Sequence, residues 1–129
     1  MKVMADTSAW VEFLRGTESS AHVLLRSELE REHLVTTDPV VMEVLAGARA
    51  PAEEEQLSAL LGVAHRLPCQ RVDYVEAARI HRACRRSGEP VRNMLDCLIA
   101  AVAIRAALPL LHADRDFETI ARHSTLELA

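Results

Sequence analysis

Short apolar runs alternate with amphipathic helical stretches from one end of the chain to the other. Units of that kind build a parallel sheet, because each strand must be followed by a crossover before the next can pair beside it. Val3–Ala5 is the first run and ends at Asp6. Thr7-Ser8 offers a helix cap, with Trp10, Val11, Phe13 and Leu14 at helical spacing and Gly16 as a stop. Residues 18–32 read as a second amphipathic helix, and Leu34–Thr37 as a strand. Asp38-Pro39 reads as the cap and first-turn proline of a helix ended near Gly47. Pro51 and the acids Glu53, Glu54 and Glu55 open a helix running to about Ala64. Residues 67–72 read as a strand, and Asp73 and Glu76 as a capping box for a helix ending at Ser87-Gly88. A loop at 87–91 leads to a helix over 93–107, a strand over 108–113 ending at Asp114, a short helix over 115–123 and a last strand over 125–128. The expected fold is α/β, a central parallel β-sheet flanked by α-helices on both faces.

The bulk properties agree with that frame. A chain of 129 residues has the size of one domain, ~100–150 residues. No repeat or long linker divides it, so residues 1–129 are expected to form a single domain. A hydrophobic share of 50% excludes disorder. The three cysteines, Cys69, Cys84 and Cys97, are odd in number and form no CxxC pair, which argues against a disulfide framework. No apolar run approaches the ~20 residues of a membrane span. The N-terminus, with a very short apolar stretch and Asp6, does not read as a signal peptide. A cytoplasmic protein with no membrane partner is therefore expected. The net charge of −4 speaks against a protein that coats nucleic acid. The cations are fourteen Arg and a single Lys, Lys2.

The acids carry the functional signal. Open parallel sheets bind ligands beyond the C-terminal ends of their strands, where Asp6 and Asp114 fall. Asp96 is the only charge between Met94 and Ile104 and shares a helix face with Ala100 and Ala103. Glu43 interrupts Val40-Val41-Met42 and Val44-Leu45 in the same way. A charge in so apolar a helix is costly unless paired, hydrogen-bonded or metal-bound. Taken singly, Asp6 also reads as a strand-end residue, and Asp114 and Asp116 as turn and first-turn acids. Asp38 and Asp73 read as helix caps. Converging carboxylates cannot all stay ionised without a cation. Oxygen ligands select hard ions such as Mg²⁺ or Mn²⁺, and such a site supports phosphodiester hydrolysis.

Asp6-Thr7-Ser8, the run from Val41 to Gly47 around Glu43, Asp96-Cys97-Leu98-Ile99-Ala100-Ala101 and Asp114-Arg115-Asp116-Phe117 follow one another in an order that resembles the PIN-domain ribonucleases. Within them the chain most resembles the VapC toxins of bacterial toxin–antitoxin pairs. No one motif is specific; the order of four across the whole chain carries the likeness. It implies a PIN fold and a catalytic acidic quartet of Asp6, Glu43, Asp96 and Asp114. It implies Mg²⁺ or Mn²⁺ held by Asp6, Asp96 and Asp114, with Asp116 as an extra ligand and Thr7 or Ser8 as supporting hydroxyls. It further implies cleavage of structured RNA such as tRNA or rRNA, leaving a 5′-phosphate and a 3′-hydroxyl and halting translation and growth. A homodimer and a VapB-type antitoxin, whose tail fills the active-site groove, complete the implied partners.

Some features lie outside the likeness. His112 stands where many members carry Thr or Ser, and reads as a donor to Asp114 or to RNA phosphate, or as a strand-end packing residue. The cations expected to meet RNA phosphates are those nearest the acids in sequence, Arg15, Arg49, Arg92 and Arg115, with Arg85 and Arg86 before the loop. Arg92 lies four residues before Asp96, on the same face if the helix reaches that far. Aromatics make up 3% of the chain, too few for a base-stacking platform, so shape and backbone recognition fit better. Two other small α/β classes, the response-regulator receivers and the haloacid-dehalogenase phosphatases, need a Lys late in the chain, and none follows Lys2. The alternatives that survive are a PIN-like RNA- or protein-binding module without nuclease activity, and a PIN nuclease outside a toxin–antitoxin pair. Trp10, Phe13 and Leu14 are expected in the core, ahead of a dimer interface or an antitoxin groove.

Overall fold

The computed structural model describes residues 1–129. In chain order the elements are β1 (Val3–Ala5), α1 (Thr7–Arg15), α2 (Ser20–Glu30), β2 (Leu34–Thr37), α3 (Asp38–Ala46), α4 (Pro51–Leu61), β3 (His65–Leu67), α5 (Arg71–Arg86), α6 (Met94–Arg105), β4 (Leu110–Leu111) and α7 (Asp116–Arg122). The strands pair in the order β3-β2-β1-β4, and every pairing is parallel. The expected α/β architecture is present. The chain steps one way across the sheet from β1 to β3, then returns past β1 to β4. Crossovers between parallel strands are right-handed, so the reversal puts α1–α4 on one face and α5 and α6 on the other. The packing agrees: α1 meets α2 and α3, α3 meets α4, and α5 meets α6 and α7. The reversal leaves a crevice beyond the ends of β1 and β4, the switch point where such sheets bind ligands.

One hydrophobic cluster of 30 buried residues fills both layers. Trp10, Phe117, Met4, Leu25 and Ile99 are its largest fully buried members, and each contributes roughly 1.5–3 kcal/mol by leaving water. Helix α6 is buried continuously from Asp96 to Ala103, and its alanines let α5 come close. An ion pair between the buried Asp73 and the exposed Arg105 ties the same two helices. Arg105 donates to both oxygens of Asp73, at 2.8 and 3.1 Å, and to the Pro68 carbonyl at 3.0 Å.

Several expected boundaries move, each for a physical reason. The third strand is His65–Leu67, not 67–72. It is an exposed edge strand, so apolarity does not mark it, and the apolar Cys69 and Val72 belong to the turn and to α5. Gln70 caps α5, and Asp73 sits at its third position, where it accepts from the Gln70 N–H at 2.7 Å. Thr37 caps α3, and Asp38 instead accepts from Arg66 Nε at 2.6 Å. Asp6, rather than Thr7-Ser8, caps α1. The strand expected over 108–113 is only Leu110–Leu111, and the last strand reduces to a bridge between Leu110 and Leu128. The core takes Trp10 whole and Phe13 in part, but Leu14 is exposed.

Candidate active site

The crevice beyond β1 and β4 is a cleft of about 470 Å³ lined by Asp6, Thr7, Ser8, Val11, Glu12, Glu43, Arg92, Asn93, Asp96, Ala113, Asp114 and Asp116. Every acid assigned to the site from sequence reaches it, each from a different local cause. Asp6 follows β1 as the cap of α1; its Oδ2 accepts from the Ser8 N–H at 2.9 Å and from Ser8 Oγ at 2.6 Å. Glu43 projects from α3, and its Oε1 accepts from Thr7 Oγ1 at 2.7 Å. Asp96 lies in the first turn of α6, where the positive end of the helix faces it. Asp114 ends the β4 turn, and its Oδ1 accepts from the Asp116 N–H at 3.0 Å. Ser8 Oγ also accepts from the Ala113 N–H at 2.9 Å, so one hydroxyl ties the two strand ends together across the switch point.

The acids are crowded. Oxygens of Asp96, Asp114 and Asp116 all lie within 4.8 Å of one another. Asp6 is buried, and its Oδ1 has no hydrogen-bond partner. An orphaned buried carboxylate oxygen calls for a proton or a cation. Burial pushes the Asp6 carboxyl up, against the pull of its Ser8 hydrogen bonds. Asp96 is pushed up to about 7, first by burial and then by the charges of Asp6, Asp114, Glu43 and Asp116. Crowded hard oxygens with one buried member unpaired fit a Mg²⁺ or Mn²⁺ ion.

Other assignments shift. Arg92 is not on the Asp96 face, because Asn93 caps α6 and Arg92 precedes the helix. It nevertheless lines the cleft, paired with Asp116 and Asp114. Arg15 lines an adjoining groove between α1, α3 and α4, which shares Val11 and Glu43 with the cleft. Arg115 is exposed before α7 and lies outside the cleft. Arg49 pairs with Glu53, and Arg85 and Arg86 are exposed at the end of α5. His112 does not donate to Asp114: its Nδ1 accepts from the Asp114 backbone N–H at 3.1 Å, and its ring packs 5.6 Å from Phe117. Glu12 and Asn93 line the cleft without having stood out in the sequence. The only available signal for Glu12 was its place four residues after Ser8 on α1.

In class, this is a parallel α/β domain with a carboxylate cluster at its switch point. The profile of the PIN domain family matches residues 3–123, and the chain belongs to that family. It is 42% identical to ribonuclease VapC11 of Mycobacterium tuberculosis and to VapC ribonuclease Mb1587 of Mycobacterium bovis, over 98% of this chain and 97% of each relative. Its fold is that of VapBC2 from Rickettsia felis, solved with a DNA fragment from their promoter, at TM-score 0.79 and 17% identity over 100% of this chain and 98% of that one. It also resembles the DNA-bound VapBC from Salmonella typhimurium, at TM-score 0.74 and 20% identity over 100% and 97% of the two chains.

Proposed function

We propose that this chain is a divalent-metal-dependent endoribonuclease and the toxin of a toxin–antitoxin pair. The observation that carries the reading is the trio of Asp96, Asp114 and Asp116, with the buried, unpaired Asp6 Oδ1 in the same cleft. Kinship with VapC ribonucleases at 42% identity supports the substrate and the biological role. In this reading Asp6, Asp96 and Asp114 hold Mg²⁺ or Mn²⁺, with Asp116 as an additional ligand. The ion supplies the positive charge that polarises a phosphodiester and eases ionisation of the attacking water. Ser8 fixes the Asp6 carboxylate and Thr7 fixes Glu43. Glu43, outside the tight trio, is the candidate acceptor of the water proton. Water oxygen adds to phosphorus and the P–O3′ bond breaks, which leaves a 5′-phosphate and a 3′-hydroxyl.

The cleft wall holds no aromatic side chain, which favours structured RNA such as tRNA or rRNA, read by shape and backbone. Arg92 at the mouth, with Arg15 and Arg115 further out, would meet phosphates. The reading includes a VapB-type antitoxin, growth arrest in its absence, and a homodimer. An apolar groove between α3, α5 and α6, where Met42 and Tyr74 are exposed, supports self-association. A reducing cytoplasmic setting suits the three free cysteines, and no helix is long and apolar enough to cross a membrane.

The test is cleavage of total RNA by the purified chain with Mn²⁺, with EDTA, and with Asp96→Asn. Cleavage is expected with Mn²⁺ alone. Cleavage that survives EDTA overturns the metal mechanism. RNA binding without any cleavage favours the non-catalytic module.

A further inference from the structure

The acidic cleft carries its own cation. Arg92 is the one basic residue among its walls, against the six carboxylates of Asp6, Glu12, Glu43, Asp96, Asp114 and Asp116. Its side chain is 76% exposed to water and at the same time pairs with the acids at the edge of the cluster. Nε donates to Asp116 Oδ2 at 3.2 Å, and Nη2 is 3.6 Å from Asp114 Oδ1. The Arg92 backbone N–H reaches the same Asp116 oxygen at 3.4 Å. These two acids belong to the trio whose oxygens gather within 4.8 Å. A guanidinium and a divalent ion placed here draw on the same lone pairs.

Contacts anchor the chain on both sides of Arg92. Val91 is buried. Glu89 accepts from Arg122 Nη2 at 2.6 Å and lies 2.9 Å from His123 Nε2. On the other side, the Asn93 side chain caps α6 by accepting from the Leu95 N–H at 2.9 Å. An exposed ion pair of this kind shifts an equilibrium by no more than about fivefold. It is therefore weak enough for a divalent ion to displace and strong enough to measure.

We infer that Arg92 is a built-in counter-cation, seated on Asp114 and Asp116 until a divalent ion takes those oxygens and releases the guanidinium into the mouth of the cleft. The inference rests on the metal reading above and deepens it. Metal entry and the freeing of a phosphate-seeking side chain become one event. The guanidinium is free of its acid partners, and so able to pair with an incoming polyanion, when the ion is in place.

The experiment uses the full chain without RNA. Isothermal titration with MnCl₂ compares the natural protein with Arg92→Gln and Arg92→Lys, and NMR follows the Arg92 Nε–H while Mg²⁺ is added. Arg92→Gln is expected to bind Mn²⁺ about three- to fivefold more tightly, and Arg92→Lys, which keeps the charge, to lie nearer the natural protein. The Nε–H resonance is expected to shift and to exchange faster with water as Mg²⁺ binds. Unaltered Mn²⁺ affinity in Arg92→Gln with an unmoved resonance overturns the exchange and leaves the metal site standing. Weaker binding by Arg92→Gln also overturns it, since Arg92 would then assist the ion. Binding seen only in Arg92→Gln supports the exchange in its strongest form. No binding by any variant removes the metal reading and the inference together.

Discussion

Asp96 concentrates the electrostatic cost of the site. Its carboxyl titrates at about 7 in the fold, against an ordinary value of 3.8. Between those values the folded chain holds a proton that the unfolded chain has lost. Stability of the metal-free protein therefore falls as pH rises from 4 to 7, and Asp6, also raised, adds to the same slope. Melting in EDTA at pH 5 and pH 8 is expected to give the lower midpoint at pH 8. Asp96→Asn should flatten that slope and make the metal-free protein more stable at pH 8, by up to about 4 kcal/mol, while abolishing cleavage and weakening Mn²⁺ binding. A variant that cleaves normally removes Asp96 from the machinery. Thr7→Val deletes the bond to Glu43 Oε1. The expected result is a folded protein with reduced kcat, since a lost hydrogen bond of this kind is worth about 1 kcal/mol. At this scale the sequence was most readable where a residue broke the pattern around it. Glu43 and Asp96 stood out as single charges in apolar helices. Glu12 and Asn93 did not, because each is an ordinary polar residue whose place in the cleft is set by three-dimensional neighbours. The direction of the His112 hydrogen bond was hidden for a similar reason, since it depends on which backbone N–H the turn presents.

Among the elements, α6 was the plainest from sequence and β3 the least. An unbroken apolar stretch with one acid near its start defines a central helix and the end that faces the site. A three-residue edge strand with His65 and Arg66 exposed offers no such pattern; its pairing with β2 is made by backbone atoms alone. Caps were misplaced by a residue or more for a related reason. Asp6, Ser8, Asp38 and Asp73 can all satisfy a helix start, and tertiary partners decided among them. The clearest case is Asp73, which completes the capping box from the third helical position and also pairs with Arg105. It is 1% exposed, so removing Arg105 leaves a buried carboxylate with the Gln70 N–H as its remaining donor. Arg105→Ala is expected to lower unfolding free energy by about 1.5 kcal/mol, measured by urea denaturation. Cleavage by the surviving folded fraction should be unaltered, because the pair lies at the far end of α6 from Asp96. A loss no larger than that of a surface ion pair contradicts the role given to this pin.

For the molecule as a whole, the alternation of strands and helices was enough to fix a parallel sheet, and the positions of the strand-end acids pointed to the switch point. The strand order was not readable, since it depends on where β4 finds an open edge beside β1. A single core spanning both faces supports the proposal that residues 1–129 unfold as one cooperative unit. One transition is expected by both calorimetry and circular dichroism, and two separate transitions would contradict it. Saturation with Mn²⁺ at a hundred times its Kd should stabilise the chain by about 2.7 kcal/mol, read as a higher melting midpoint. The bond from the Ala113 N–H to Ser8 Oγ spans almost the whole sequence to close the cleft. During synthesis the Asp6 turn leaves the ribosome long before its partners at Asp114 and Asp116, which lie more than a hundred residues further along the chain. A nascent chain that has not reached them lacks the closed cluster, so the cleft cannot assemble its acids until that later part of the domain has been made.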